Sequence, residues 1–279
     1  MDWTPEIYQA RIEDRASRTR HAGGSPSPME IHAYHAACEG LPENGTALVL
    51  GMTPELRAMA AARFQSVVSV DASETAMGMF ADWIPVDLRS RERLILGDWN
   101  EAAGLLDGGV DVVLGDGIIG NLAGYEASVE LLKSLGGLLN PGGRCVMRNV
   151  FVPCGFDTVA RCFERLLDGF RRDRIDAAEF GFVSRMFGFH SSAYDESAEI
   201  LDNAVVYRLL GEMRGAGQLD DREWEALERY RFMGRNYFPA ERTWRAIIAE
   251  SGFSEPLTHP GEQRLWAEFY PVQSFAPLT

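Results

Sequence analysis

The sequence predicts an α/β fold: a doubly wound, mostly parallel, seven-stranded sheet with N-terminal helices and a helical insertion. Three observations predict it. Between residues 46 and 151, short β-branched apolar runs alternate with helix-like stretches, the pattern of a parallel sheet covered on both faces. Most of these runs end in Gly or Asp, where a strand hands over to a loop. Strand-like character returns near the C-terminus after a long helical stretch.

The first strand is expected at 47–51 (ALVLG), followed by a helix at 54–63. A strand at 67–71 (VVSVD) precedes a helix at 73–82, and a strand at 94–98 (LILGD) precedes one at 100–106. The fourth strand, 110–114 (VDVVL), leads to a helix at 124–138. The breaker Asn140-Pro141-Gly142-Gly143 ends that helix before a fifth strand at 144–151 (RCVMRNVF). Residues 1–43 and about 155–252 carry helical apolar spacing with few β-rich runs. A helix at 243–251, the turn Ser251-Gly252 and a strand at 264–270 (RLWAEFY) close the chain, so that two late strands complete one sheet edge. The expected organisation is a helical cap (1–43), an α/β core (44–154), a helical lid or substrate region (155–240), and a C-terminal helix and strands (241–279). There is no internal repeat, and the loop at 23–28 is the extent of low complexity.

At 279 residues the chain is as consistent with one elaborated domain as with two. Hydrophobic residues at 46% and charged residues at 24% are ordinary globular values. No window of 18 apolar residues and no charged-then-apolar leader occurs, which excludes membrane-spanning, disordered and collagen-like classes. With 27 Lys plus Arg against 41 Asp plus Glu, the net charge of −14 disfavours a nucleic-acid partner. Cys38, Cys145, Cys154 and Cys162 show no CxxC spacing and read as reduced thiols of a cytoplasmic protein.

In doubly wound sheets a ligand binds outside the carboxyl ends of the strands, so the strand ends carry the functional reading. After the first strand comes Gly51-Met52-Thr53-Pro54-Glu55. A dinucleotide loop needs three glycines to bring N–H groups to a pyrophosphate; here one is present, Pro54 removes a donor and Glu55 adds a negative charge. A phosphate-free ligand fits better, although Thr53-Pro54 also reads as a plain helix start. Asp71 closes the second strand 20 residues after Gly51, the distance at which a carboxylate accepts ribose hydroxyls. Asp98 can accept from an adenine amino group with Trp99 covering the ring, and Asp116-Gly117 follows the fourth strand.

This series resembles the class I S-adenosylmethionine-dependent methyltransferases in Val49-Leu50-Gly51, Val70-Asp71-Ala72, Gly97-Asp98-Trp99, the run at 111–117 (DVVLGDG) and Leu139-Asn140-Pro141-Gly142-Gly143. The resemblance covers about residues 45–151, and it departs from the family where Thr53 and Glu55 replace loop glycines. It implies S-adenosylmethionine as cofactor, with Gly51, Met52 and Thr53 beside its methionine part, Asp71 and Ala72 at the ribose, Asp98 and Trp99 at the adenine, and Asp116 with Gly117 near the sulfonium. A mouth ringed by acids suits a ligand carrying a sulfonium and an ammonium but no phosphate.

Methyl transfer from a sulfonium is an in-line displacement that needs positioning and water exclusion rather than a fixed catalytic motif. A hydroxyl acceptor profits from a general base, and His190, in an aromatic stretch of the expected lid, is the candidate against a structural role. Tyr8 and Tyr34 either close over the sulfonium or pack, and Arg148 and Arg185 either pair a substrate carboxylate or one of the protein's own acids. His32, His35 and Cys38 recur at spacings of three, but nothing completes a metal site and the segment reads as an amphipathic helix. The run of aromatics and glycines at 180–189 suits an apolar acceptor and a flexible entrance, or else an ordinary core with the insertion serving a homodimer. The function expected is methylation of a small-molecule acceptor. The alternatives are an inactive binding protein of the same fold and, with Gly115-Asp116-Gly117 as its one sign, an aminopropyltransferase.

Overall fold

The computed structural model describes residues 24–106, 108–155, 163–261 and 267–278; Tyr8, His21, Cys162 and the first half of the 264–270 run lie outside them. The described chain forms two compact units: Pro26–Phe151 with Pro239–Thr279, and Val152–Phe238 with Gly24 and Ser25. Ten strands occur among the described residues: β1 (Thr46–Leu50), β2 (Ser66–Asp71), β3 (Glu92–Leu96), β4 (Val110–Asp116), β5 (Leu139–Arg148), β6 (Tyr194–Asp195), β7 (Ile200–Asp202), β8 (Arg235–Tyr237), β9 (Leu257–His259) and β10 (Val272–Phe275).

The first unit holds the seven-stranded sheet, ordered β3-β2-β1-β4-β5-β10-β9. Strands β1 to β5 run parallel and β10 is antiparallel to both β5 and β9. Chain order runs outward from β1 to β3 on one side and from β4 to β5 on the other, so the topological switch point lies between β1 and β4. Alternating residues give the sheet two apolar faces. On one, Val49, Val67, Val112, Leu114, Val146 and Val272 pack with the helices Pro28–Ala37 and Pro54–Arg63. On the other, the C-terminal helix Glu241–Glu250 buries Trp244, whose indole donates to Gln273 Oε1 at 2.7 Å. Arg57 and Glu92 form a buried ion pair at 2.6 Å that ties Pro54–Arg63 to the first residue of β3.

The five expected core strands are present in order, with two shifts. β3 ends at Leu96, so Gly97-Asp98 lies beyond it. β5 starts at Leu139, earlier than expected, because Asn140-Pro141-Gly142-Gly143 continues beside β4 instead of only breaking the helix. The pairing is irregular there, Gly142 sits at φ +83°, and a Cβ on Gly143 would meet two backbone oxygens at 2.9 and 3.0 Å, so the glycines let the chain bulge and stay paired. The expected strand at 264–270 is a turn over its described part, and the late strands are β9 and β10. Phe269 and Tyr270 bury as loop anchors, with Phe151 N donating to the Phe269 carbonyl at 3.0 Å.

The second unit contains the helices Phe163–Arg171, Ala177–Val183, Asn203–Gly215 and Asp221–Glu228. It also has a three-stranded antiparallel sheet, β6-β7-β8, that the helical reading of this region missed. Strands of two or three residues are too short to show alternation. The aromatics at 180–189 serve largely as this unit's core: Phe180 stacks on Phe170 at 4.5 Å, and Phe180, Phe182 and Phe187 are buried. Gly181 is where the helix Ala177–Val183 meets Asp221–Glu228, since a Cβ there would stand 2.3 Å from the Ala226 carbonyl oxygen. Gly181→Ala should destabilise the protein by about 1–3 kcal/mol in denaturant unfolding, because backbone, not a movable side chain, blocks the methyl group.

Candidate functional site

The switch point brings the ends of β1 and β4 together, with Leu50 paired to Gly115. Gly51 leaves β1 at φ +90°, a conformation that favours glycine, and its N–H donates to the Val70 carbonyl at 2.8 Å. The chain then enters the helix at Pro54, with Thr53 in the cap position but making no side-chain cap bond. Met52 is buried, and Ala72, after β2, is exposed.

Asp71 ends β2 beside Gly51. Its Oδ1 accepts the Ser73 N–H at 2.7 Å, whereas Oδ2 has no hydrogen bond among the described residues and lies 3.8 Å from where a Cβ on Gly51 would stand. Burial pushes the Asp71 carboxyl above its ordinary value, and the Ser73 bond opposes that shift in part. Trp99 flanks the same point: its indole N–H donates to the Val70 carbonyl at 2.9 Å, and ring atom Cζ2 is 3.9 Å from the Gly51 Cβ position. One carbonyl thus holds both the Gly51 turn and the Trp99 ring. Asp98 is exposed; its Oδ1 accepts the backbone and side-chain amides of Asn100 at 2.8 and 2.9 Å, which leaves Oδ2 outside that turn.

Asp116 ends β4 in an ion-pair network. Arg148 Nε and Nη2 donate to its two oxygens at 2.9 and 3.2 Å, and the Tyr270 hydroxyl donates to Oδ1 at 2.9 Å. The Arg148 Nη1 pairs with Glu30 at 2.8 Å, and its guanidinium carbon lies 4.1 Å from the Tyr270 ring centre. Glu30 is held in turn by the Ser27 N–H at 2.6 Å, the capping box that starts the helix Pro28–Ala37. Tyr34, fully buried on that helix, donates to the Gly115 carbonyl at 2.7 Å. Beyond Asp116, Gly117 sits at φ +70° with its N–H on the Arg148 carbonyl at 2.7 Å. The next residue on β5's exit, Asn149, accepts the Ile119 N–H at 3.1 Å, and its buried Nδ2 has no hydrogen-bond partner among the described residues.

Comparison with known proteins places this geometry in a fold. The sequence matches no protein-family model and no curated protein. The structure is similar to one described as the CcbJ methyltransferase from Streptomyces caelestis, with a TM-score of 0.58 and 13% identity over 99% of this chain and 100% of that one. It is also similar to one described as a putative zinc-dependent alcohol dehydrogenase from Rhodobacter sphaeroides, with a TM-score of 0.55 and 18% identity over the whole of both chains. The fold is that of the class I methyltransferases.

Within the class I methyltransferase fold, the structure gathers Gly51, Asp71 and Trp99 at one point and Asp116 with Gly117 on the neighbouring strand end. It does not bring Tyr34 or Arg148 to a surface. Both are 0% exposed, so the expected ligand contacts give way to internal ones: Tyr34 holds β4, and Arg148 holds Asp116 and Glu30. Glu30, Tyr270 and Asn149 belong to the candidate site and were missed by sequence reasoning. In the second unit, Arg185 is buried with Nη1 on the side-chain oxygens of Asn203 and Asn236, both at 3.2 Å, and His190 is buried against Tyr194 with ring centres 4.3 Å apart. Burial lowers the His190 pKa below its ordinary 6.5.

His32 and His35 are exposed while Cys38 is buried in the core, and among the described residues no three potential ligands gather for a metal ion. Cys38 and Cys145 are buried free thiols, the first pushed up to about 12 by burial, and Cys154 is exposed. No helix of the described residues is long and apolar enough to cross a membrane.

Proposed function

We propose that the protein transfers a methyl group from S-adenosylmethionine to an oxygen or nitrogen nucleophile of a small-molecule acceptor, by in-line displacement. The observation that carries this reading is the Gly51–Asp71–Trp99 constellation: a carboxylate with one unbonded oxygen, a pinned indole and a residue without a Cβ, all within about a van der Waals contact of one point. Those groups fit a ribose and a flat base, and the nearby Asp98 and Glu55 suit a ligand without phosphate. Asp71 would hold the ribose, Trp99 and Asp98 the base, Gly51 to Thr53 the methionine part, and Asp116 with Gly117 would stand near the sulfur. When bound, S-adenosylmethionine supplies a methyl group already activated on a sulfonium.

The chain's own task is then orientation, water exclusion and, for a hydroxyl acceptor, removal of a proton. His190 is the proposed base. Its lowered pKa keeps the imidazole neutral, and so able to accept a proton, to a lower pH than an ordinary histidine. Arg185 is the proposed anchor for an acidic or polar group on the acceptor. His190→Gln should lower kcat by about 100-fold and remove an acidic limb lying below pH 6.5, with cofactor affinity unchanged. A fall in affinity alone would return His190 to a packing role.

Isothermal titration with S-adenosylmethionine and S-adenosylhomocysteine tests the assignment, and absence of binding to both removes it. The loop with Thr53 and Glu55 in place of glycines favours one second reading, a protein that binds the cofactor without turnover. Binding of both ligands with no methyl transfer across a broad acceptor panel would select it.

A further inference from the structure

The second unit holds a cavity of about 610 Å³, lined by the loop after the helix Phe163–Arg171, the start of the helix Ala177–Val183 and one face of the helix Asp221–Glu228. Ile175, Ala177 and Ala226 give it apolar surface beside charged residues of both signs. Three ties hold its walls together. Arg171 Nε donates to the buried Glu223 at 2.6 Å, Arg222 pairs with Asp173 at 2.7 Å, and Gly181 lets one helix meet the Ala226 carbonyl of the other. A ligand entering such a space finds it already shaped, so little binding free energy goes into ordering the protein.

One of these ties is built against the backbone's preference. The Arg174 N–H reaches the Gly169 carbonyl at 2.9 Å and the Asp173 N–H reaches that of Phe170 at 3.1 Å, the paired bonds of a helix end whose left-handed position is ordinarily glycine. Here that position is Asp173, at φ +53°. Its carboxylate holds Arg222, whose guanidinium carbon lies 4.4 Å from the Phe170 ring centre. A side chain kept where glycine would sit more easily points to a use for the wall it fixes.

The charges left over define the ligand. Asp173 and Arg222 hold each other, Glu179 and Arg229 have interactions of their own, and Asp176 gives one oxygen to the Glu179 N–H at 2.7 Å. The guanidinium of Arg174 and the carboxylate of Glu225 come from different walls, and neither side chain has a hydrogen bond or ion pair among the described residues. We propose that this cavity binds a small zwitterion with an apolar body, of about the size of a dipeptide. Arg174 takes its carboxylate, Glu225 and the second oxygen of Asp176 take its ammonium, and Ile175, Ala177 and Ala226 cover its body. A wholly anionic ligand would face Glu225 and Asp176, and a wholly cationic one would face Arg174. None of these residues belongs to the strand-end site, so the proposal stands apart from the S-adenosylmethionine reading.

Titration of the full chain with the dipeptide leucyl-leucine and its two blocked forms, N-acetyl-leucyl-leucine and leucyl-leucine amide, tests it. The free dipeptide should bind at least about 10-fold more tightly than either blocked form. Arg174→Gln should weaken the free dipeptide about 10-fold and leave the amide as it was, and Glu225→Gln should weaken it about 10-fold and leave the acetylated form as it was. Both side chains are exposed, and circular dichroism should show both variants folded. No binding of the free dipeptide at about 10 mM, equal affinity for free and blocked forms, or unchanged affinity in both variants overturns the proposal. If a variant does not fold, the comparison of free and blocked dipeptides on the unaltered protein decides alone.

Discussion

Asp71→Ala is expected to weaken S-adenosylmethionine binding by roughly 100-fold or more, well beyond the effect of Asp98→Ala. A half-buried carboxylate receiving hydroxyls makes charge-assisted bonds worth about 1.5–3 kcal/mol each, and two such bonds account for that factor. Asp71 has Oδ2 unbonded and facing the Gly51 turn, while Oδ1 keeps a lone pair beside its Ser73 bond. Asp98 is exposed and already takes two amides from Asn100, so water competes for what it offers. Unchanged affinity in a folded Asp71→Ala protein would remove the cofactor assignment.

The same carboxylate makes a second, opposite prediction for the ligand-free protein. Burial raises the Asp71 pKa, so the folded state binds this proton more tightly than the unfolded chain does. Its contribution to stability is therefore present at low pH and lost as pH rises through the raised pKa. Asp71→Asn should leave the ligand-free protein at least as stable as the parent at pH 7, with the difference vanishing in acid, while binding is lost. A site residue that costs stability when empty is what a binding role requires and a packing role does not.

The strand-end half of the candidate site was legible because a parallel sheet confines the groups at its carboxyl end to short local signals. Gly51 and Asp71 each stand at the end of an apolar run, and Trp99 follows one closely. The other half was not. Asp116 meets Arg148 across 32 residues and Tyr270 across 154, and no periodicity reports such pairings. The same blindness left Arg148 and Tyr34 open between a ligand and an internal role: a charged or phenolic residue near a strand end looks alike in sequence whether it faces a cleft or the core. Glu30 was hidden differently, since its visible signal, the Ser27 capping box, explains it locally and conceals its ion pair with Arg148. In the second unit the short strands β6 to β8 lack the length for alternation, and the Phe-Gly runs suggested an entrance where glycine permits close helix packing.

Arg148→Met is expected to cost about 3–5 kcal/mol of stability. Removing the guanidinium leaves Glu30 and Asp116 buried without their shared cation, and the penalty is for that uncompensated charge rather than for the attraction lost. Chemical denaturation would show it, with a melting temperature lower by roughly 10 °C. The charge argument separates this from a loss of packing. Met fills much of the volume of the arginine stem, and Gln at 30 with Asn at 116 keeps acceptors for the Ser27 N–H and the Tyr270 hydroxyl. The triple variant Glu30→Gln, Asp116→Asn, Arg148→Met should therefore regain at least half of the lost stability. If the three substitutions are instead additive, the network holds the helix Pro28–Ala37 against β4 and β5 by shape. In that case its net charge has no part in the preference for a cationic ligand.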